Sequence, residues 1–156
     1  MRAIPDPTPP ICCGEDARLV TGRAIYPHRP DLNERRFWQC NRCGGYVGTH
    51  KETWEPLGIP ANAELRRARQ AVHEIMDPIW QNAWTGYTDG HLNRKAIVKA
   101  ARGRVYAFLA DRLGMTRESC HTAMFDLDDC GAACAALRGV TYWTVREWAK
   151  ARREVA

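Results

Sequence analysis

The stretch FWQCNRCGGYVG, Phe37 to Gly48, has the form of the second half of a zinc ribbon. Two aromatics lead an extended segment into Cys40, and Cys43 follows after two residues. Gly44 and Gly45 then permit φ > 0, and Tyr46-Val47 resumes an extended run. Thiolates spaced in this way on a tight turn face one tetrahedral ion, and the flanking backbone amides turn inward to hydrogen-bond the sulfurs. Such a half-site needs a second knuckle upstream. ICCGEDARLV, residues 11–20, supplies it: Cys12 and Cys13 precede Gly14, and an apolar strand begins at Ala17. These cysteines are adjacent, where a regular knuckle sets two residues between them. Neighbours on a strand point to opposite faces, so a turn has to bring the pair together.

The expected ligands of the zinc ion are therefore Cys13, Cys40, Cys43 and, as the favoured fourth, Cys12. His50, seven residues after Cys43, is the second choice, and His28 a third, each through an imidazole nitrogen. The competing explanation, four small buried hydrophobes, leaves the knuckle glycines without a purpose.

Seven cysteines is an odd number, and the proline-rich start MRAIPDPTPP does not resemble a signal peptide. Together these favour reduced thiols, metal ligation and a cytoplasmic protein over a disulfide framework. No apolar run approaches the roughly 18 to 20 residues that span a bilayer, so no membrane partner is expected. A length of 156 residues accommodates a metal-tied module and one helical domain. A module of about 40 to 60 residues does not hold together on core burial alone.

The expected fold is α+β, with a flexible leader at 1–10, a β zinc-ribbon module at 11–56 and a mainly helical domain of about four helices at 61–156. YPHRPDL reads as a rigid loop between the knuckles, since Pro27 and Pro30 fix φ on either side of His28. EPLGIPA makes the hinge. From Ala61 the apolar period becomes helical, with Leu65, Ala68, Val72, Ile75 and Ile79 on one stripe and a break or kink at Asp77-Pro78. After a turn at Asp89-Gly90, a second helix runs from about Asn93 to Leu113 with Val98, Ala101, Val105, Phe108 and Leu109 inward and Gly114 as its stop. Asp126 caps a third helix bearing Leu127, Cys130, Cys134 and Leu137, and Thr141 caps a fourth.

Cys120, His121, Cys130 and Cys134 resemble a second metal set, but the helical stripe through Leu127 and Leu137 assigns Cys130 and Cys134 to the core. His121 is read as a hydrogen-bonded turn residue before Asp126. Asp126, Asp128 and Asp129 fit a helix N-terminus better than a metal site. His28, Asn41 and His50 have spacings similar to those of ββα-metal nucleases, in which two histidines and an asparagine organise a divalent ion. There the last histidine sits on a helix, whereas Gly44 to Val47 predicts a turn and a strand. No phosphate-binding glycine loop and no nucleophile with its base is present, and no catalytic residue is assigned.

The net charge of +5 is uneven, with eight Lys/Arg against seven Asp/Glu in residues 1–60 and fifteen against eleven in residues 61–156. Nineteen of the 23 basic residues are Arg, whose planar fork suits phosphate and base stacking. Arg35, Arg36, Trp38 and Arg42 around the second knuckle, with Phe37, form one expected nucleic-acid surface. Lys95, Lys99 and Arg102, with Tyr106, form another along the second long helix. Packing roles for Phe37 and Trp38 compete with this. Six tryptophans equally suit a protein–protein adaptor or inhibitor of a host factor, because Trp and Arg anchor interfaces. A metal-dependent nuclease is the third possibility.

Several blocks together resemble one family: the Cys-Gly knuckle, LVTGRAIYPHRPDL, FWQCNRCGGYVGTH, PLGIPANAELRRARQAVHEIMDPIW, YAFLADRLGM and CHTAMFDLDDC. They are similar to the phage and prophage zinc-finger-containing family over roughly residues 11 to 138. The resemblance implies a zinc-binding phage or prophage accessory protein of the bacterial host cytoplasm, with DNA, RNA or a host protein as partner. Members usually carry a regular Cys-x-x-Cys-Gly first knuckle, and here Pro10 stands where the first cysteine is expected.

Overall fold

The structure, a computed structural model, describes residues 6–87 and 93–155. The start of the leader and the turn expected at Asp89-Gly90 lie outside the described residues. The architecture is α+β, and the chain divides into two compact units, 1–66 and 67–156.

The first unit opens with a hairpin of β1 (Ile11–Cys12) and β2 (Glu15–Asp16), in which Ile11 pairs with Asp16 and Cys12 with Glu15. A three-stranded antiparallel sheet follows, ordered β3 (Arg18–Thr21), β4 (Arg36–Gln39), β5 (Tyr46–Gly48). The expected loop between β3 and β4 contains a one-turn helix, α1 (Gly22–Ile25), and a 3-10 turn at Pro30–Leu32 with proline in its first turn. Isolated bridges Tyr46 to Ala61 and Thr49 to Pro56 extend the pairing beyond β5. Tyr26, Phe37 and Tyr46 meet edge to face with ring centroids 5.6 to 6.0 Å apart, and the two tyrosine hydroxyls are 2.7 Å apart. Arg66 lies 4.1 Å from the Tyr46 ring centroid and donates to the Ala61 carbonyl, which fixes the end of the segment that crosses the sheet.

Helix α2 (Ala63–Gln81) departs from expectation twice. It does not end at Asp77-Pro78: Pro78 lies inside it, and the backbone hydrogen bond from Asn82 N–H to the Pro78 carbonyl closes its last turn. Proline removes one amide donor, and the burial of Met76 and Ile79 on either side sustains the helix across the gap. The buried stripe is Val72, Met76 and Ile79, with Ile75 left exposed, because spacing four keeps Met76 over Val72. Arg69 is half-buried and donates through both Nε and Nη2 to the Phe125 carbonyl, at 3.0 and 2.9 Å.

Helix α3 (Arg94–Leu113) is the centre of the second unit, burying Ala101, Val105, Tyr106, Phe108, Leu109 and Ala110. Asn93 Oδ1 caps it by accepting from the Lys95 and Ala96 amides, and Gly114 ends it at φ +64°. Against it pack α4 (Leu127–Leu137) and α5 (Tyr142–Val155). Asp126 and Asp129 form a capping box at the start of α4, and Thr141 and Thr144 exchange equivalent bonds at the start of α5. Trp148 rests edge-on against Phe108 and donates to Asp111 at 2.8 Å, and Arg152 pairs with the same carboxylate. The Trp148 N–H and then Arg152 hold the Asp111 carboxyl below its ordinary range. None of the helices is long and apolar enough to cross a membrane, among the described residues.

Candidate metal centre

The turn between β1 and β2 has two central residues, Cys13 at φ +54° and Gly14 at φ +80°. Positive φ at both positions is the requirement of the type I′ hairpin, whose twist matches that of the strands it joins. For Gly14 it costs nothing, whereas for Cys13 it is a strained choice. The strain has a structural product: leaving the strand conformation after Cys12 swings the Cys13 side chain round to the same side. Adjacent cysteines thereby converge, with their Sγ atoms 4.0 Å apart.

The second knuckle meets them there. Gly44 takes φ +70° in the turn after Cys43. Gly45 serves differently from expectation: its φ is not positive, but a Cβ on it would lie 2.9 Å from the backbone of Ala61 and Asn62, so glycine is needed for close approach. The Gly45 amide donates to Cys43 Sγ at 3.3 Å, the N–H to sulfur bond expected of a knuckle. Cys12 Sγ is 3.7 Å from Cys43 Sγ, and all four sulfurs lie within 4.8 Å of one another.

A tetrahedral zinc with Zn–S bonds of about 2.3 Å separates its sulfurs by about 3.8 Å. The observed spacings fit, and the protein's Cys12, Cys13, Cys40 and Cys43 suit Zn2+ in both number and softness. Neither His28 nor His50 belongs to the group. Among the described residues no other set of three metal-ligating side chains converges, and Cys120, His121, Cys130 and Cys134 do not gather. Cys120 and Cys130 are buried core residues, and His121 Nδ1 accepts the Ala123 amide as a turn residue should. His50 follows strand β5 instead of sitting on a helix, unlike the nuclease arrangement.

Crowding shifts the acidity of these thiols in opposite directions. Burial, followed by hydrogen bonds with Cys43, Cys40 and Cys13, pushes the Cys12 thiol far above its ordinary range. Contact with Cys43 and then burial raises Cys13. Cys40 moves the other way, to about 7, chiefly because the Cys43 backbone amide points at its sulfur. Cys40 is thus more readily ionised than Cys12 or Cys13, and a zinc held by the four cysteines would favour the thiolate forms. Arg42 donates to the Cys13 carbonyl at 3.1 Å, setting a positive charge beside a cluster that becomes negative once its thiols ionise.

The expected nucleic-acid residues divide. Arg35 and Arg36 line a hollow of about 300 Å3 with Glu34, Lys51, Trp54 and Leu57, and Arg36 stands 5.7 Å from the Trp54 ring centroid. Trp38 does not belong to an exposed surface: it is 5% exposed, with its indole N–H bonded to the Trp54 carbonyl at 2.9 Å. Both faces of the sheet are covered at β4, so strand alternation fails to bring Trp38 out. Trp54 is the aromatic that is outside, 44% exposed and held at φ +56°. Its signal in the sequence was an aromatic isolated among charged and turn residues, HKETWEP. Lys95, Lys99 and Arg102 are exposed on α3, but Tyr106, expected with them, is buried in the core.

In the second unit Asp77, His73 and Thr122 are linked in the order of a hydrolytic triad, His73 Nδ1 to Asp77 at 3.1 Å and Nε2 to Thr122 at 2.9 Å. Thr122 is 2% exposed and its Oγ1 also meets the Tyr106 hydroxyl at 3.3 Å, so the line is a packing relay.

Residues 8–140 match the zinc-finger-containing domain family. No curated protein and no solved structure matches the chain.

Proposed function

This chain belongs to the zinc-finger-containing domain family, and we propose that it is a zinc-stabilised nucleic-acid-binding module that does not cut its ligand. It acts as a phage or prophage accessory factor in the cytoplasm of the bacterial host. The observation that carries this is the Trp54 hollow, where an exposed indole held in a strained backbone conformation sits among Arg35, Arg36 and Lys51. The turn conformation at Trp54 presents its carbonyl to the buried Trp38 indole and leaves its own ring outside, 5.7 Å from Arg36 and within reach of a ligand. A base stacks on the indole while the cations take the flanking phosphates, a sequence-tolerant mode suited to single strands. Lys95, Lys99 and Arg102 offer a second basic surface on α3. Four cysteine ligands fill the tetrahedron of a structural zinc and leave no position for a catalytic water.

The test is a titration of the zinc-loaded protein with single- and double-stranded DNA and RNA, read by tryptophan fluorescence and repeated at several salt concentrations. Trp54→Ala should weaken binding by about 1–3 kcal/mol, and Arg36→Glu should flatten the salt slope by roughly one unit. Binding unchanged in both variants would remove the proposal. Trp143, 65% exposed on α5 with Arg146 at 5.7 Å, supports the adaptor alternative. A host protein held through Trp143 with little dependence on salt would establish it. Metal-dependent cleavage lost in His50→Ala would establish the nuclease.

A further inference from the structure

Lys99, Arg102, Gly103, Tyr106, Arg117 and His121 line a hollow of about 270 Å3 in the helical unit. Lys99 and Arg102 are three residues apart on α3 and so share a face, while Arg117 and His121 come from the segment after Gly114. Three of these side chains are Lys or Arg, and among the described residues no carboxylate lines the hollow. Elsewhere the balance differs: Glu34 lines the hollow beside Trp54, and Glu147 lines the one formed with Arg146 and Arg153. Among the described residues, Lys99, Arg102 and Arg117 form no ion pair with a carboxylate. Cations gathered without a counter-charge repel one another, and the entry of an anion relieves that repulsion.

The hollow is held in shape from behind. Arg102 and Arg117 stand 5.6 and 5.1 Å from the centroid of the same Tyr106 ring, so one buried aromatic positions both guanidiniums. The Tyr106 hydroxyl is in turn tied to the Thr122, His73 and Asp77 relay. His121 stacks on Tyr106 with centroids 5.7 Å apart and planes 9° from parallel. Because His121 Nδ1 accepts the Ala123 amide at 3.2 Å, the proton of the neutral ring sits on Nε2, giving one more donor. Burial, and then the charges of Arg102 and Arg117, hold the His121 pKa below its ordinary value, which favours the neutral imidazole.

We infer that this hollow is a binding site for a phosphate group. Two planar guanidinium forks, an ammonium and an imidazole N–H match the several acceptor oxygens of phosphate better than the two of a carboxylate. The volume falls just below the ~300–1,000 Å3 of pockets for drug-sized ligands, which suits a small anion or the phosphate-bearing end of a larger molecule. A terminal phosphate monoester and a backbone phosphodiester share this chemistry. The site does not depend on the Trp54 surface, and the two succeed or fail separately.

The experiment uses the full-length zinc-loaded protein, titrated with inorganic phosphate, with 5′-AMP and with a single-stranded oligonucleotide. Calorimetry gives affinity, and the 1H–15N resonances of the His121 ring report on the hollow. Inorganic phosphate should move the His121 signals, and Arg102→Gln with Arg117→Gln should abolish that shift and weaken phosphate binding at least tenfold. Arg138→Gln, an exposed cation outside the hollow, should change nothing. Lys99→Gln gives an independent variant, expected to weaken phosphate severalfold, should the double variant lose its helical circular dichroism. Tighter binding of 5′-AMP than of inorganic phosphate, with oligonucleotide affinity unchanged in the double variant, assigns a terminal phosphate. A fall in oligonucleotide affinity with a loss of about two units of salt slope assigns the backbone. Equal affinity of the parent and the folded variants for all three ligands overturns the proposal, as does an identical His121 shift with acetate at matched ionic strength.

Discussion

The largest fully buried side chains, Tyr106, Phe108, Phe125, Met76, Leu109, Leu137, Val72, Val105 and Val145 among them, lie in residues 67–155. In residues 6–66 the only member of that set is Cys40, and Cys40 belongs to the four-cysteine cluster that fits zinc. The remaining buried apolar residues there, including Ala17, Phe37, Trp38 and Ala61, form a thin layer on one small sheet. The helical unit therefore carries its stability in apolar burial, and the β unit, with so little of it, depends on the zinc that its four clustered cysteines fit. Two kinds of cohesion in one chain make different perturbations selective.

The strongest test of that contrast is the metal. Structural zinc contributes on the order of 10 kcal/mol at neutral pH, comparable to the entire stability of a small domain. Chelation, or Cys43→Ser, should unfold residues 6–66 while most helical circular dichroism persists, and elemental analysis of the parent should return one zinc per chain. Cys12→Ser and Cys13→Ser should behave as Cys43→Ser does, while His50→Ala and His28→Ala keep the metal. Full loss of helical signal on chelation would break the comparison, because the second unit would then need the first.

The converse substitution should act only on the other side. Phe108→Ala removes a ring 1% exposed that packs against Trp148, and should cost about 3–5 kcal/mol by transfer and cavity terms. Zinc stoichiometry should remain at one. Cys130→Ala, a smaller deletion in the same core, should likewise leave the zinc content unchanged, and a second metal lost with it would contradict its place in packing.

Pro78 sharpens the comparison from within the helical unit. A proline in a helix interior costs about 3 kcal/mol where the structure has not adapted, and α2 has continued past it. Pro78→Ala at this exposed position should therefore stabilise the helical unit, by about 1 kcal/mol after adaptation is discounted, and raise its thermal midpoint alone. A decrease in stability would show that the proline shapes the helix for something beyond folding.

How far the sequence revealed this molecule differs between the same two units. The metal site was legible because Cys40-Asn41-Arg42-Cys43-Gly44 has few other uses, and the caps at Asp126 and Thr141 were legible because they are local chemistry. What was hidden depended on tertiary competition. Ile75 and Met76 fit the stripe about equally by periodicity, and packing chose the less hydrophobic of the two. Pro78 looked like a break because its lost amide is local, whereas the burial that compensates is not. Trp38, expected on a surface, is buried because a strand covered on both faces defeats alternation, and Trp54 was passed over because positive φ at a bulky residue has no signature in sequence. The pairing of Cys12 with Cys13 was half visible: Gly14 announced a turn, but nothing announced that Cys13 would adopt the left-handed conformation beside it.

The smallest expected effect concerns the carboxylates that open α4, where a metal and a cap make opposite demands on charge. Asp126 Oδ1 accepts the Asp129 amide at 2.8 Å, and Asp129 Oδ2 accepts the Asp126 amide at 3.1 Å. A cap needs an acceptor of the right length, so Asp126→Asn should be nearly neutral, while Asp126→Ala should cost about 1 kcal/mol, read as a lower denaturation midpoint of the helical unit. A divalent cation needs the negative charge, and its removal by Asn would then be as harmful as Ala and would depend on added magnesium or calcium. Because Asp126 stands at the N-cap, ahead of Asp128 and Asp129 in the first turn, Asn also loses a favourable interaction with the helix dipole, worth a few tenths of a kcal/mol at low salt and less as salt rises. Screening by salt with no response to divalent ions is therefore the signature of the cap. Equal damage from Asn and Ala, restored by magnesium or calcium, would move these residues out of the scaffold and into a second metal site.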